Sequence, residues 1–127
     1  RSVAFAKDVG LPVVYLTKSR DLSTGEVTVT GVSEKVDGKE CIIFDDIINT
    51  GATAIKTSQF LKDHGAGNIY FLATHGVLAG TAVQELSASP IGRLIVTDTV
   101  AIPKEKQFDK LQIISVAPII ANAIMSK

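Results

Sequence analysis

The chain has 127 residues, with 13 Lys and Arg against 13 Asp and Glu and a formal net charge of zero. That balance gives no electrostatic footprint for nucleic acid, and the length makes one domain or one piece of a larger protein. Apolar residues at 46% and charged residues at 20% suit a globular α/β domain, no apolar run reaches bilayer-spanning length, no leader pattern is visible, and Cys41 as the single cysteine excludes an internal disulfide and fits a reducing, cytoplasmic home.

Residues 1–9 read as a helix already under way. Val3, Ala6 and Val9 share one face, and Gly10 supplies the stop. No initiator Met stands in front, so we expect an upstream part to be missing. Residues 13–17 form a strand by β-branched and aromatic content. A polar segment with Lys18 and Arg20 follows, ending in turn residues at Ser23, Thr24 and Gly25. Residues 26–30 alternate with period two, so a hairpin or flexible loop is expected near residues 18–30. Residues 36–39 are a turn.

Four apolar residues, 41–44, then read as a parallel strand covered on both faces. Cys41 lies within it as a buried, inert thiol. A helix is expected from Thr53 to about His64, with Ala54, Ile55, Ser58 and Leu61 inward and Gly65 as its stop. Residues 68–74 are the next strand, completing a right-handed βαβ unit. A loop over residues 75–80, a helix over 81–88, a strand over 94–97, a charged loop over 103–110 and a strand over 111–116 follow. The last helix has Pro118 near its first position and Ile119, Ile120, Ala123 and Ile124 as its core stripe. The whole reads as a single α/β domain, a three-layer sandwich with a mainly parallel sheet and helices on both faces.

Chemistry concentrates after the apolar strand. Asp45 and Asp46 are acceptors at neutral pH and suit a ligand rich in hydroxyls. Gly51 lets backbone approach a ligand, Thr50 and Thr53 add hydroxyls, and the first N–H groups of the following helix point at an anion. A sugar phosphate wants both halves of this site. Lys18 follows one strand end as Asp45 follows another, and ligands of parallel sheets bind beyond the carboxyl ends of the strands. His64 and His75 read as structural, and Asp98 and Thr99 end a strand on the same side as the acids.

The run Cys41-Ile42-Ile43-Phe44-Asp45-Asp46-Ile47-Ile48-Asn49-Thr50-Gly51-Ala52-Thr53 resembles the ribose-phosphate binding motif of the type I phosphoribosyltransferase fold, in the form found in ribose-phosphate pyrophosphokinases. Ala73-Thr74-His75-Gly76-Val77-Leu78-Ala79-Gly80, Val96-Thr97-Asp98-Thr99 and Ile114-Ser115-Val116-Ala117-Pro118 are similar to successive segments in the C-terminal half of those enzymes. Other phosphoribosyltransferases share the stretch from Asp45 to Thr53 but not, typically, the later ones.

The resemblance implies diphosphoryl transfer from ATP to the 1-hydroxyl of ribose 5-phosphate. It implies Lys18 and Arg20 as catalytic cations on a mobile loop, and Asp45 and Asp46 on the ribose hydroxyls, directly or through Mg²⁺ waters. Asn49, Thr50, Gly51, Ala52 and Thr53 would cradle the 5-phosphate. Mg²⁺ is expected with ATP, and no residue is assigned as a direct metal ligand. The missing N-terminal half would supply most of the ATP site, so this chain alone is expected to be inactive. Self-association is expected, with no membrane and no nucleic acid. Two positions depart from the family pattern: Asn49 stands where Asp is frequent, and Ala52 where Gly is frequent. The rival readings are a non-catalytic regulatory subunit and a transferase that consumes 5-phosphoribosyl 1-diphosphate.

Overall fold

The computed structural model describes residues 2–25 and 27–127; Glu26, expected to open the second hairpin arm, and Arg1 lie outside the described residues. The elements run α1 (Ser2–Val9), β1 (Leu16–Arg20), β2 (Val27–Val32), β3 (Cys41–Ile48), α2 (Ala52–Asp63), β4 (Ile69–Gly76), α3 (Ala82–Ala88), β5 (Arg93–Thr97), β6 (Leu111–Ile114) and α4 (Ala117–Met125). A single 3₁₀ turn, Lys104–Lys106, interrupts the charged loop before β6. The helices and strands expected from the sequence are present, but the first strand, expected over residues 13–17, is found at Leu16–Arg20, and residues 13–15 are not in it.

Two sheets form. β3, β4, β5 and β6 make a parallel sheet in that order, and β1 and β2 make a separate antiparallel hairpin. Each parallel strand therefore lies beside its neighbour in sequence. Right-handed crossovers that always step the same way put their connections on one face of the sheet. The packing agrees: Ala54 of α2 and Ala82 and Leu86 of α3 share one core with Phe71, Ala73, Leu94 and Val96. Ile102 and Phe108, from the connection before β6, pack on the same core. A second cluster of Val36, Leu61, Ala66 and Ile69 takes Leu16 and Val32 against it, and so fixes the base of the hairpin on the α2 side.

The opposite face is covered unequally. Successive strand residues point to opposite sides, and Phe44, next to inward Ile43, meets Phe5 of α1 with ring centroids 5.0 Å apart. Helices thus stand on both faces, but only α1 is seen against β3 on this one.

Three expectations need correction. β3 lies at the edge of the sheet among the described residues and its outer face is only partly covered, for Ile42 is 45% exposed although α1 reaches Phe44. α4 buries none of its residues, so Ile119, Ile120 and Ile124 are an exposed ridge and not a core stripe. In α1 only Ala6 is buried, while Val3 and Val9 remain half exposed. For the two helices the physical reason is the same: an amphipathic stripe states that a helix wants cover, not that the same chain provides it.

Candidate functional site

The acids lie inside β3 and not beyond it, because the strand continues through Ile47 and Ile48. Asp45 is exposed and Asp46 half-buried. The Asp45 carboxylate accepts the N–H of Asp46 at 2.8 Å. Here the ladder steps from the pair Asp45–Ala73 to the pair Ile47–His75, and β4 shifts register against β5 between Ala73 and His75. Such a bulge re-aims side chains at a strand end. It also frees the carbonyl of Thr74, which the hydroxyls of Thr97 and Thr99 approach at 2.7 and 3.1 Å. Thr99 Oγ1 stands 2.7 Å from Nδ1 of His75. His75 is thus tied into a strand-end network, in keeping with a structural role.

β3 passes into α2 through a tight turn. Gly51 takes φ 82°, in the left-handed region that glycine alone enters without strain. A Cβ there would stand 3.0–3.2 Å from three carbons of Leu86, so the position excludes side chains twice over. Gly51 is also the N-cap of α2, and no side chain caps that end. The N–H of Ala52 reaches only the Thr50 hydroxyl, at a long 3.5 Å, and the N–H groups that follow it are left for other acceptors. The first turn of α2 carries no acidic residue, which leaves the positive end of the helix dipole unbalanced by its own turn. Ala52 is the first helical residue, and Leu78 is the only non-glycine of positive φ among the described residues. Ala52 therefore sits in its turn without backbone strain.

The turn is braced from β4. The N–H groups of Val77 and Leu78 bond the carbonyl of Ile48 at 3.0 and 3.3 Å, and that of Ala79 bonds the carbonyl of Asn49 at 2.9 Å. Lys106 Nζ donates to the Val77 carbonyl at 3.3 Å. Leu78 holds this brace at φ 51° with its side chain fully buried. A non-glycine in that region costs about 1–3 kcal/mol and persists because its surroundings over-determine it. Nothing in the sequence marks Leu78 for this role, since Gly or Asn is the usual occupant.

Lys18 and Arg20 are not in a loop. They lie in β1, opposite Val29 and Val27 of β2. The loop of the hairpin is instead the turn after Arg20, where Asp21 accepts the N–H of Ser23 at 2.7 Å and of Thr24 at 3.2 Å. The Ser23 hydroxyl and these N–H groups hold the Asp21 carboxyl below its ordinary value. The hairpin brings Lys18 to the helix end: a groove of ≈ 240 Å³ is lined by Lys18, Gly25, Val29, Ala52, Thr53, Lys56 and Thr57. Among the site residues expected from the sequence, the groove unites Lys18 with Ala52 and Thr53. Arg20, Asp45, Asp46, Asn49, Thr50 and Gly51 are not in its lining. Lys56 and Thr57 are new to the site, although their spacing of three and four from Thr53 puts them on its helix face.

Two further groups resolve into structure. Asp98 accepts the N–H of Val116 at 2.9 Å, and the Ser115 hydroxyl and this N–H hold its carboxyl low, so it braces the joint before α4. Cys41 is half-buried, and burial pushes its thiol up despite Lys62 and Lys39 nearby. Among the described residues no group of three or more His, Cys, Asp or Glu is placed to hold a metal ion, and no helix is long and apolar enough to cross a membrane.

Comparison with known proteins bears on this geometry. The family model of the phosphoribosyl synthetase-associated domain matches residues 8–126. The chain is 40% identical over 125 residues to a ribose-phosphate pyrophosphokinase of Caldanaerobacter subterraneus subsp. tengcongensis, covering 98% of this chain and 39% of the relative. It is 40% identical over 116 residues to the protein of that name from Bifidobacterium longum, covering 91% of this chain and 34% of the relative. The crystal structure of phosphoribosylpyrophosphate synthetase from Mycobacterium smegmatis superposes with a TM-score of 0.83 at 35% identity, covering 97% of this chain and 39% of that one. The chain thus spans well under half the length of these relatives.

Proposed function

The chain belongs to the phosphoribosyl synthetase-associated domain family, and from that premise we propose that it is the ribose 5-phosphate-binding half of a ribose-phosphate diphosphokinase. The observation that carries the reading is the joint of β3 and α2. An uncapped helix end with Gly51 at φ 82° opens directly beneath a strand that presents Lys18. The 5-phosphate sits on the backbone N–H groups of residues 49–53, where the helix dipole favours a dianion. Asp45, on the exposed edge of β3, and Asp46 accept the ribose hydroxyls. The 1-hydroxyl attacks the β-phosphorus of ATP, AMP leaves, and the product is 5-phosphoribosyl 1-diphosphate.

Transfer of this kind needs charge stabilisation more than a covalent nucleophile. Lys18 supplies a point charge to the migrating group and Arg20 a forked one. As alternate residues of β1 they share one side of the hairpin. Mg²⁺ brought with ATP would supply charge neutralisation at the phosphates, and Asp45 and Asp46 would hold it through its waters, with neither assigned as a direct ligand. The remaining ATP contacts come from chain beyond this one, and the exposed apolar ridge of α4 supports a larger whole.

Departure from the family pattern at Ala52 does not favour a non-catalytic subunit, because Ala52 is unstrained. Calorimetric titration of ribose 5-phosphate with Mg²⁺ into the chain tests the reading. Saturable binding is expected, lost in Asp46→Ala. A folded wild-type chain that takes up no ribose 5-phosphate would refute it.

A further inference from the structure

The strand that carries the acids changes face where the acids stand. Neighbouring strand residues point to opposite sides of a sheet, so two residues an odd number of steps apart share a side only where the alternation breaks. In β3, Ile43 packs on the α2–α3 core and Ile48 lies within it, while Ile47 is 52% exposed. In β4, Ala73 lies in that core, and a Cβ on Gly76 would stand 3.0–3.2 Å from Val96 and Ile102 of the same core. Both strands therefore reverse. The ladder of β3 and β4 omits one level, Asp46 beside Thr74, and Thr74 is the residue that β4 holds in excess of β5. The two reversals meet there.

A bulge in a parallel sheet is uncommon, and it leaves backbone groups to be satisfied from elsewhere. Thr97 supplies the partner. Its hydroxyl donates to the Thr74 carbonyl at 2.7 Å and accepts the N–H of Thr99 at 3.3 Å. Thr99 brings a second hydroxyl to the same carbonyl at 3.1 Å and is itself held 2.7 Å from Nδ1 of His75. A continuous path results. The threonines fix the Thr74 peptide, the level of Thr74 gives Asp46 no ladder pair, and the Asp46 N–H binds the Asp45 carboxylate at 2.8 Å. The direction of that carboxylate is thereby set from β5.

We propose that Thr97, with Thr99 beside it, is a positioning residue for Asp45 and Asp46: its hydroxyl fixes the bulge at Thr74 and so the aim of the two carboxylates at vicinal hydroxyls of the ligand. Such recognition works only where the groups behind the contacting side chains hold them closely in place. The inference rests on the reading of the acids as acceptors of the ribose hydroxyls. It goes beyond that reading because neither threonine belongs to the strand that carries the acids.

Titrations of ribose 5-phosphate and of methyl phosphate, a phosphate dianion with no sugar hydroxyls, into the wild-type chain, Thr97→Val, Thr97→Ser and Thr99→Val test it, with Mg²⁺ present and amide chemical shifts as the readout. Thr97→Val removes the hydroxyl and keeps the branched shape. Its affinity for ribose 5-phosphate is expected to fall about tenfold, with methyl phosphate affinity unchanged and ribose 5-phosphate affinity recovered in Thr97→Ser. Thr99→Val, at the longer contact, is expected to lose about threefold in the same selective way, and it carries the test should Thr97→Val not fold. Ribose 5-phosphate binding in the valine variants equal to wild type overturns the positioning role and leaves the acids as acceptors. Equal losses of ribose 5-phosphate and methyl phosphate overturn it too, because the hydroxyl then supports the whole site and not the acids. A wild-type chain that binds ribose 5-phosphate no more tightly than methyl phosphate refutes the acids as hydroxyl acceptors, and the positioning role falls with them.

Discussion

The two faces of the parallel sheet are built from the same kind of residue and end differently. On the α2–α3 face Ile69, Phe71, Leu94 and Val96 are 0–2% exposed. On the other, Ile42 is 45% and Ile114 49% exposed, and Phe44 is half-buried only where Phe5 reaches it. The helix that follows β6 leaves Ile119 at 71% and Ile124 at 69%. Apolar content alone therefore did not decide which face is covered. The direction of the crossovers did, because each connection returns on the same side. The site inherits this asymmetry. Gly51, Leu86 and the brace from residues 77–79 belong to the packed side, so the turn into α2 is held by contacts within the chain itself.

The sharpest way to break the comparison is to remove volume from the packed side. Phe71→Ala is expected to cost about 3–5 kcal/mol, read as a lower denaturation midpoint in urea. A loss below about 1 kcal/mol would show that the two faces are equally loose. Next comes Gly51→Val, which forces a β-branched residue to φ 82° and against Leu86. We expect about 2–3 kcal/mol of destabilisation and loss of ribose 5-phosphate binding by calorimetry; full binding would mean that the turn is not rigid. On the bare side, Ile120→Ser should change the stability of this chain by no more than about 0.5 kcal/mol, read from the same urea midpoint. A large loss there would place α4 in the core after all.

The smallest effect is electrostatic. The Asp98 carboxyl is held below its ordinary value by the Ser115 hydroxyl and the Val116 N–H. In the window below the unfolded value of about 3.9, the unfolded chain binds more protons than the folded one, so stability rises with pH there. The contribution is complete above that value and lost as pH falls through the folded one. Asp98→Asn should remove that slope, so its acid unfolding curve approaches wild type below about pH 4 and the two stay parallel at neutral pH. Curves parallel throughout would show that the carboxylate holds nothing. The group is exposed, and salt should shrink the effect.

Much of this architecture was legible in the residues. Gly10, Gly51 and Gly65 mark a helix stop, a helix start and a second stop, and all three have positive φ. Helical spacing makes Ala54, Ile55, Ser58 and Leu61 the inward stripe of α2, and the structure buries Ala54, Ser58 and Leu61 and adds Thr57. The extent of β1 was not legible: Lys18, Ser19 and Arg20 are polar, yet pairing with β2 carries the strand through them. A hairpin with solvent on one side needs no apolar residues there. The charge of Asp45 and Asp46 suggests a strand end, but a strand at a sheet edge tolerates exposed carboxylates and β3 runs on through them. Lys56 and Thr57 escape because they join the groove only through the hairpin residues Lys18, Gly25 and Val29, which no local pattern reports.

The consecutive strand order has a consequence for how the protein is made. No strand must be inserted later between two that are already paired. During synthesis β4 can join β3 as soon as α2 and β4 have left the ribosome, β5 can join β4, and β6 can close the row. Pairs so near in sequence close short loops and fold fast for a parallel sheet. A long insertion in one crossover would then delay the strands that come after it while those made before stay paired.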